Sequence, residues 1–182
     1  EHLISLAEHA DVVVCGCGLG RESHKVVSAL APHCRRAVFD ADALTSPLPL
    51  AEESICTPHA GEFRRLFGDP LPSVLRERAH AVRAAAQDTT LLVKGAVDII
   101  SDGERVRFNR TGTPAMTVGG TGDVLAGLTG ALFCRLPAFE AACAAAYANG
   151  RAGETASAGR GDGLAASDLL DILPAILYKE SE

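Results

Sequence analysis

Residues 36–67, RAVFDADALTSPLPLAEESICTPHAGEFRRLF, decide the fold. They contain two short apolar runs, one at residues 37–39 and one around Ile55, and each run stops at a polar segment. The first run leads into the acidic residues 40–42, and the second leads into residues 57–67, where the apolar residues recur with helical spacing. Strand, polar loop and helix in this order are typical of a layered α/β domain.

The same alternation continues on both sides of this segment. The predicted elements outside it are a strand at 12–15, a helix at 25–30, a helix at 73–87, a strand at 91–93, a hairpin of 97–100 and 106–108 around Asp102-Gly103, and helices at 124–135, 139–156 and 166–178. Strands and helices alternate early and helices gather late, which predicts one α/β domain with a mostly parallel sheet.

The composition makes several classes of function improbable. The 182 residues are 47% hydrophobic and 22% charged, as in globular domains. The formal net charge of −6 repels nucleic acid and anionic membranes, so we expect neither as a partner. The longest uncharged apolar stretch, Val124 to Cys134, is too short to span a bilayer, and the first residues lack a secretion signal. We therefore expect a soluble cytoplasmic protein with reduced cysteines.

A glycine cluster, residues 16–20 (GCGLG), follows the first predicted strand. Without β-carbons, its backbone N–H groups can approach an anion or a ring at the start of the next helix. The alternative is a tight turn that packs the strand against the helix. A Rossmann nicotinamide site is disfavoured, because Arg21 stands where the G-x-G-x-x-G spacing requires glycine.

Two carboxylates, Asp40 and Asp42, follow the second predicted strand. Ligands of open parallel sheets bind at the carboxyl ends of the strands, so one of the two could hold Mg²⁺ or a substrate hydroxyl. The alternative for Asp42 is that it caps a following short helix.

The segment after Ile55 combines a helix start with two functional side-chain types. Pro58 suits the first helical position with Thr57 as its cap, which leaves Glu62 outside a capping box. His59 and Glu62 are three residues apart, so one helix face can present both to the crevice at the strand ends. This spacing favours a functional role for the pair over a structural one.

The loop 116–123, MTVGGTGD, runs directly into a predicted helix. Consecutive backbone N–H groups at a helix N-terminus bind phosphate oxygens, and the helix dipole favours negative charge. Asp123 can accept a proton from a substrate hydroxyl there, unless it is an ordinary helix-start residue. No lysine follows the last glycine, so this is not a Walker loop. Lys94, at the end of a predicted strand, is the candidate cation, unless it is solvated.

Six motifs in this order, GCGLG, FDADAL, TPHAGE, VKGA, NRTGTPAM and GGTGDVLAG, and a final GLAASDLLDILP resemble those of the ADP/ATP-dependent NAD(P)H-hydrate dehydratases. This family is a branch of the ribokinase-like superfamily, and the resemblance covers nearly the whole chain. It implies an α/β ribokinase-like three-layer sandwich with a mostly parallel central sheet flanked by helices, as one domain over residues 1–182. Family domains begin with further strands, so we expect this domain to be incomplete at its N-terminus.

The resemblance also implies an activity. It is that of an ADP-dependent (S)-NAD(P)H-hydrate dehydratase, a lyase that repairs hydrated NADH or NADPH and releases AMP and phosphate with Mg²⁺ present. A nucleotide turns the added hydroxyl into a leaving group. The sequence leaves open whether ADP or ATP is used, whether NADH or NADPH is preferred, whether the protein is a homo-oligomer, and whether an NAD(P)H-hydrate epimerase is fused or separate.

The resemblance assigns the site residues to four roles. Asp123 would be catalytic and would face the hydrate, and Glu62 would be the residue associated with Mg²⁺ through water. The other substrate-binding residues would be Gly18, Gly20 and His59. The nucleotide-binding residues would be Lys94, Gly95, Ala96, Val97, Asp98, Gly119, Gly120, Thr121 and Gly122.

The sequence departs from the family's usual pattern at a few positions. The family usually has Pro at the position of Cys17 and Asn at that of Thr113, and it often has Thr near Asp98. Asp98 is the departure that affects the predicted nucleotide site. Its carboxylate would repel a nearby phosphate group unless the carboxylate faces the ribose or a metal.

Two other functions stay open. A ribokinase-like kinase acting on a vitamin alcohol or a sugar would use the same glycine loop and the same Asp123. His59, where such kinases carry Asn, favours the dehydratase, as do the DADAL and GCGLG motifs. The third hypothesis is a non-catalytic nucleotide-binding module.

Overall fold

The computed structural model describes residues 2–178, which form seven α-helices and six β-strands. The helices are α1 (His2–His9), α2 (His24–Leu30), α3 (Ala60–Phe67), α4 (Leu75–Ala85), α5 (Thr121–Phe133), α6 (Ala138–Arg160) and α7 (Ala166–Leu177). The strands are β1 (Val13–Cys15), β2 (Arg36–Phe39), β3 (Glu53–Cys56), β4 (Thr90–Val93), β5 (Asp98–Ser101) and β6 (Val106–Asn109).

All six strands form one sheet in the order in which they occur along the chain. Strands β1 to β4 are parallel, and the β5–β6 hairpin continues the sheet in antiparallel pairing. Phe39 pairs with both Cys15 and Cys56, so β1, β2 and β3 end level with one another. The loops after these strands therefore start at one edge of the sheet, and the predicted mostly parallel sheet is confirmed.

Two hydrophobic cores lie on opposite faces of the sheet. Successive strand residues point to opposite faces, so Val38 joins one core and its neighbour Phe39 joins the other. The core containing Val38 is built with α5, α6 and α7, and the core containing Phe39 is built with α1 to α4. These are the three layers that the resemblance implies.

Most predicted elements are confirmed, apart from one helix that was not predicted and shifted starts of others, such as α5, which begins at Thr121 instead of Val124. The helix α1 was not predicted, because Leu3 and Leu6 are exposed and only Ala7 is fully buried, so it carries little apolar pattern. The helix predicted to start after Thr57 begins instead at Ala60. Within residues 2–178, no helix combines the length and the apolar character that a membrane crossing requires.

Candidate active site

The loops at the carboxyl edge of the sheet stay hydrogen-bonded to one another beyond the strand ends. The N–H of Asp40 donates to the carbonyl of Cys15 at 3.0 Å, and the N–H of Thr57 donates to the carbonyl of Phe39 at 3.0 Å. Farther along, the N–H of Lys94 donates to the carbonyl of Pro58 at 2.9 Å. Residues that are distant in sequence are thus held side by side.

Asp40 is the buried anion of this edge. Its side chain is 2% exposed, and its Oδ1 accepts from Lys94 Nζ at 2.7 Å and from Thr57 Oγ1 at 2.8 Å. Removing one partner of a buried ion pair leaves an uncompensated charge, so the two residues depend on each other. Lys94, predicted to meet phosphate, is therefore already paired. The sequence around either residue does not predict this pairing, because 54 residues separate the two partners.

The glycine loop after β1 is built around the end of β2. Gly16 has a φ of +127°, and a β-carbon there would overlap the carbonyl oxygen of Asp40. Asp42 Oδ2 accepts from the N–H of Gly20 at 3.0 Å. Asp42 thus fixes the glycine loop, and the alternative that it caps a following short helix does not hold, because it lies inside the 3-10 helix Ala41–Ala43. Gly18, with a φ of +66°, lies exposed in the loop, and the N–H of Gly20 is used internally.

We expect substitution of Gly16 by alanine to destabilise the protein by about 2–5 kcal/mol. The left-handed backbone costs a β-carbon about 1–2 kcal/mol, and overpacking against Asp40 adds about 1–3 kcal/mol. Gly18→Ala is the matched control, because its φ is also positive but, apart from its own chain neighbours, no atom of the described residues lies within 4 Å of the added β-carbon. It should cost only the first amount. Chemical denaturation measures both, and equal losses would contradict this account of the loop.

His59 and Glu62 form a capping box at the start of α3. The backbone N–H of His59 donates to Glu62 Oε2 at 2.8 Å, and His59 Nδ1 accepts from the N–H groups of Gly61 and Glu62 at 3.0 and 3.2 Å. The prediction that Thr57 caps this helix and that Glu62 stands outside a capping box is wrong, because His59 itself is the N-cap. Thr57 is buried and binds Asp40 instead.

The pair still faces the crevice with unused polar atoms. The His59 side chain is 58% exposed, and its Nε2 lies 3.6 Å from Glu62 Oε1, too far for a hydrogen bond. His59 also pairs with Lys94 in an isolated parallel bridge that continues the sheet. The two side chains are thus adjacent, as the spacing predicts, and the backbone of His59 lies beside that of Lys94.

The N-terminus of α5 is an uncapped helix start. Its N-cap, Gly120, is left-handed with a φ of +95° and has no side chain to accept from the first N–H groups. The hydroxyl of Thr121 donates to the carbonyl of Met116 at 2.8 Å and closes the preceding loop. The first N–H groups of a helix have no partner inside it, so those of Thr121, Gly122 and Asp123 are open to an anion.

The start of α5 lies next to the Lys94–Asp40 ion pair. A β-carbon on Gly122 would lie 3.6 Å from Lys94 Nζ and 3.9 Å from Asp40 Oδ2. One ligand atom each from Cys17, Asp40 and Asp123 lie within 4.8 Å of one another. The edge therefore combines a helix dipole, an ammonium group and two carboxylates, a combination suited to phosphoryl transfer.

Cys17 completes the cluster, and sequence reasoning did not assign it a role. Its Sγ lies 3.9 Å from Asp40 Oδ2. Partial burial and the adjacent carboxylates of Asp40 and Asp123 raise the pKa of the Cys17 thiol to about 12. The group is therefore a neutral thiol near pH 7. In the sequence, the position of Cys17 in a glycine loop after a strand could have indicated that it belongs to the site.

Asp98 turns into the protein at the start of β5. Its Oδ1 accepts from the N–H of Gly95 at 3.0 Å, and its Oδ2 accepts from Asn109 Nδ2 at 2.9 Å. Burial raises the pKa of this carboxyl group, which the two hydrogen bonds oppose. Because both oxygens are engaged, Asp98 shapes the turn instead of presenting a free charge to a phosphate.

The predicted site residues thus lie along one edge of the sheet, and some of them come together there. Lys94, Gly122 and Asp123 come together with Asp40, and His59 with Glu62 adjoins them. The others lie farther along this edge: Gly95, Ala96 and Val97 in the β4–β5 turn with Asp98 at the start of β5, Gly18 and Gly20 in the glycine loop after β1, and Gly119 and Gly120 in the loop before α5, whose first residue is Thr121.

The sequence of this chain is similar to those of known proteins. The profile of the NAD(P)H-hydrate dehydratase family matches residues 1–175. The bifunctional NAD(P)H-hydrate repair enzyme of Methanospirillum hungatei is 58% identical over 98% of this chain, which spans 37% of that protein. The ADP-dependent (S)-NAD(P)H-hydrate dehydratase of Cenarchaeum symbiosum is 43% identical over 92% of this chain and 62% of its own length.

Solved structures have the same architecture. The ADP/ATP-dependent NAD(P)H-hydrate dehydratase from Bacillus subtilis, co-crystallized with ATP/Mg²⁺, superposes with a TM-score of 0.79 at 29% identity, over 96% of this chain and 68% of that one. Arabidopsis thaliana ribokinase superposes with a TM-score of 0.62 at 16% identity, over 95% of this chain and 59% of its own. The ribokinase-like fold is therefore confirmed.

Proposed function

Because the chain belongs to the NAD(P)H-hydrate dehydratase family, we propose that it catalyses the ADP-dependent dehydration of (S)-NADH hydrate or (S)-NADPH hydrate. The observation that carries this proposal is the uncapped start of α5, where open N–H groups adjoin the Asp123 carboxylate and the Lys94 ammonium. An enzyme that turns a hydroxyl into a phosphate leaving group needs an anion site and a proton acceptor side by side.

In the first step, Asp123 takes the proton of the hydrate's hydroxyl while that oxygen attacks the terminal phosphorus of ADP. The bond from this phosphorus to its bridging oxygen breaks, and AMP leaves. The N–H groups of Thr121 and Gly122 hold the terminal phosphate, where the helix dipole favours negative charge. Lys94 offsets the added charge, since its ammonium lies beside Gly122.

In the second step, the lone pair of the ring nitrogen expels the phosphate and the carbon–oxygen bond breaks. Loss of a proton from the neighbouring carbon restores the ring double bond. The products are the reduced dinucleotide, AMP and phosphate, and the oxygen of the added water ends in the phosphate. His59 and the glycine loop with Gly18 would contact the hydrated ring, because they border the same edge of the sheet.

The residues present fit a magnesium ion near Glu62. Mg²⁺ prefers carboxylate oxygens and usually keeps several waters. Glu62 Oε2 accepts from the N–H of His59, whereas Oε1 makes no hydrogen bond within residues 2–178 and can bind a metal-bound water. When bound, Mg²⁺ spreads the negative charge of the phosphate groups.

We also propose that residues 1–182 belong to a single domain of a longer protein, since both cores share one sheet. The chain spans little more than a third of the M. hungatei relative, which is named bifunctional. A second activity, that of an NAD(P)H-hydrate epimerase, would therefore accompany this domain as a fused or separate partner.

The deciding experiment incubates the protein with hydrated NADH, ADP and Mg²⁺ and follows the near-ultraviolet absorbance of reduced nicotinamide. The proposal expects recovery of that absorbance with one AMP and one phosphate released per NADH. A ribokinase-like kinase would instead phosphorylate a vitamin alcohol or sugar without recovery. A non-catalytic module would be stabilised thermally by ADP and would show no turnover.

We expect Glu62→Gln to keep the melting temperature but to raise the Mg²⁺ concentration needed for half-maximal activity by about tenfold or more. Glutamine can still accept from the N–H of His59, so the capping box survives, whereas the charge toward Mg²⁺ is lost. Glu77→Gln, at an exposed position of α4, is the charge-matched control. An unchanged Mg²⁺ dependence would show that Glu62 only caps α3.

A further inference from the structure

We propose that Asn109 is a positioning residue for nucleotide binding. It lies at the end of β6 and is buried, with 8% of the residue exposed. Its side chain is hydrogen-bonded to the start of β5, to α6 and to the segment that leads into α5. The turn before β5 and the start of α5 are two parts of the predicted nucleotide site. The proposal rests on the proposed function, because it concerns how the same site binds ADP.

The side-chain amide of Asn109 uses its full hydrogen-bonding capacity. An asparagine amide has two N–H donors and an oxygen that can accept two hydrogen bonds. Its Nδ2 donates to Asp98 Oδ2 at 2.9 Å and to the carbonyl of Ala146 in α6 at 3.1 Å. Its Oδ1 accepts from the hydroxyl and the backbone N–H of Thr111, at 2.8 and 3.3 Å. A buried polar group whose hydrogen bonds are all made favours one arrangement of its neighbours.

The contact with Asp98 extends to the β4–β5 turn. Asp98 Oδ1 accepts from the N–H of Gly95 at 3.0 Å, so one carboxylate joins the turn to Asn109. Lys94, whose ammonium lies beside the start of α5, immediately precedes Gly95. Hydrogen bonds to a carboxylate are stronger than those between neutral groups. The position of the turn therefore depends on Asn109.

The contact with Thr111 extends to the segment before α5. A β-carbon on Gly150 of α6 would overlap the Thr111 hydroxyl, so this segment lies directly against the helix. The next N–H, that of Gly112, donates to Glu154 Oε1 in α6 at 2.9 Å. The segment then continues through residues 113–120 to the open N–H groups of α5. Asn109 thus holds the β4–β5 turn and this segment against the same helix.

ADP would contact both of the parts that Asn109 connects. In the proposed mechanism the start of α5 holds the terminal phosphate, and the nucleoside would reach the β4–β5 turn. A ligand that spans two segments binds more tightly when their separation is already fixed, because binding then has less of the chain to order. Pyrophosphate has two phosphate groups but no nucleoside, so its binding depends on the start of α5 alone.

The test compares ADP with inorganic pyrophosphate by calorimetric titration in a buffer containing Mg²⁺. We expect Asn109→Ala to weaken ADP binding by about tenfold and pyrophosphate binding by no more than about twofold. Val82→Ala is the control for lost stability, since Val82 is fully buried in the core on the opposite face of the sheet from α6. It should lower the melting temperature and leave both affinities unchanged.

Thr111→Val is a milder second variant, which should fold even if Asn109→Ala does not. It removes the hydroxyl that donates to Asn109 Oδ1 and keeps the size of the side chain and the backbone N–H. We expect ADP to bind about threefold more weakly and pyrophosphate to bind as before.

Two results would overturn the proposal. One is an unchanged ADP affinity in the variants that fold, and the other is a loss of pyrophosphate affinity as large as the loss for ADP. Binding is measured without turnover, so an unmodified protein that binds ADP and repairs no hydrate would refute the proposed function alone. The comparison of the variants would still decide the role of Asn109.

Discussion

Replacing Asp123 with asparagine should lower kcat by about 10²–10⁴-fold, the usual contribution of a positioned proton acceptor. Asparagine keeps the size of the side chain at the start of α5 but cannot take the hydroxyl proton. The N–H groups of α5 are unchanged, so the affinity for ADP should stay within about threefold, since only one nearby charge is removed. Steady-state rates of NADH recovery and calorimetric titration with ADP measure the two quantities.

Asp171→Asn is the control for the loss of one negative charge. Asp171 is exposed on α7, and its replacement should leave both kcat and ADP affinity unchanged. An Asp123→Asn enzyme with normal kcat would remove Asp123 from the chemistry. A variant that loses ADP affinity as strongly as kcat would make Asp123 a nucleotide-binding residue.

Replacing Gly122 with valine should weaken ADP binding by about 10- to 150-fold. The branched side chain would stand where the phosphate approaches the N–H groups, and the loss of one hydrogen bond to a charged group, about 1.5–3 kcal/mol, corresponds to this range. A β-carbon at Gly122 meets its neighbours only at ordinary contact distances, so the protein should still fold. Titration with ADP measures the affinity.

The same substitution at Gly127 is the matched control. Gly127 is at an exposed position of α5, and within residues 2–178 no atom outside its own stretch of helix lies within 4 Å of a β-carbon there. Gly127→Val should therefore bind ADP as the unmodified protein does. If Gly122→Val also binds ADP normally, the phosphate does not sit at the start of α5.

The fold could be predicted because its signals are local. The apolar runs before residues 40–42 and 57–59 mark strands that end at polar loops, and the late helices carry their own periodicity. The first residue of each helix was harder to predict from the sequence. At the start of α3, Thr57, Pro58 and His59 all stand near the boundary. Thr57 is bound to the buried Asp40, and His59 is the N-cap.

The candidate site was predictable as a set of loops but not as a set of contacts. The glycines before Asp123 predict an anion site from sequence, because glycine leaves N–H groups accessible. The Lys94–Asp40 pair and the approach of Cys17 depend on the sheet register, which no single segment encodes. Asp98 could not be interpreted for the same reason, since its partner Asn109 belongs to the next strand.

The most direct measurement is a crystal structure of the protein with ADP and Mg²⁺. The proposed mechanism predicts the terminal phosphate within hydrogen-bonding distance of the N–H groups of Thr121 and Gly122, with Lys94 beside it and the Asp123 carboxylate facing the space for the hydroxyl. A terminal phosphate bound elsewhere, with the start of α5 filled by water or side chains, would contradict it.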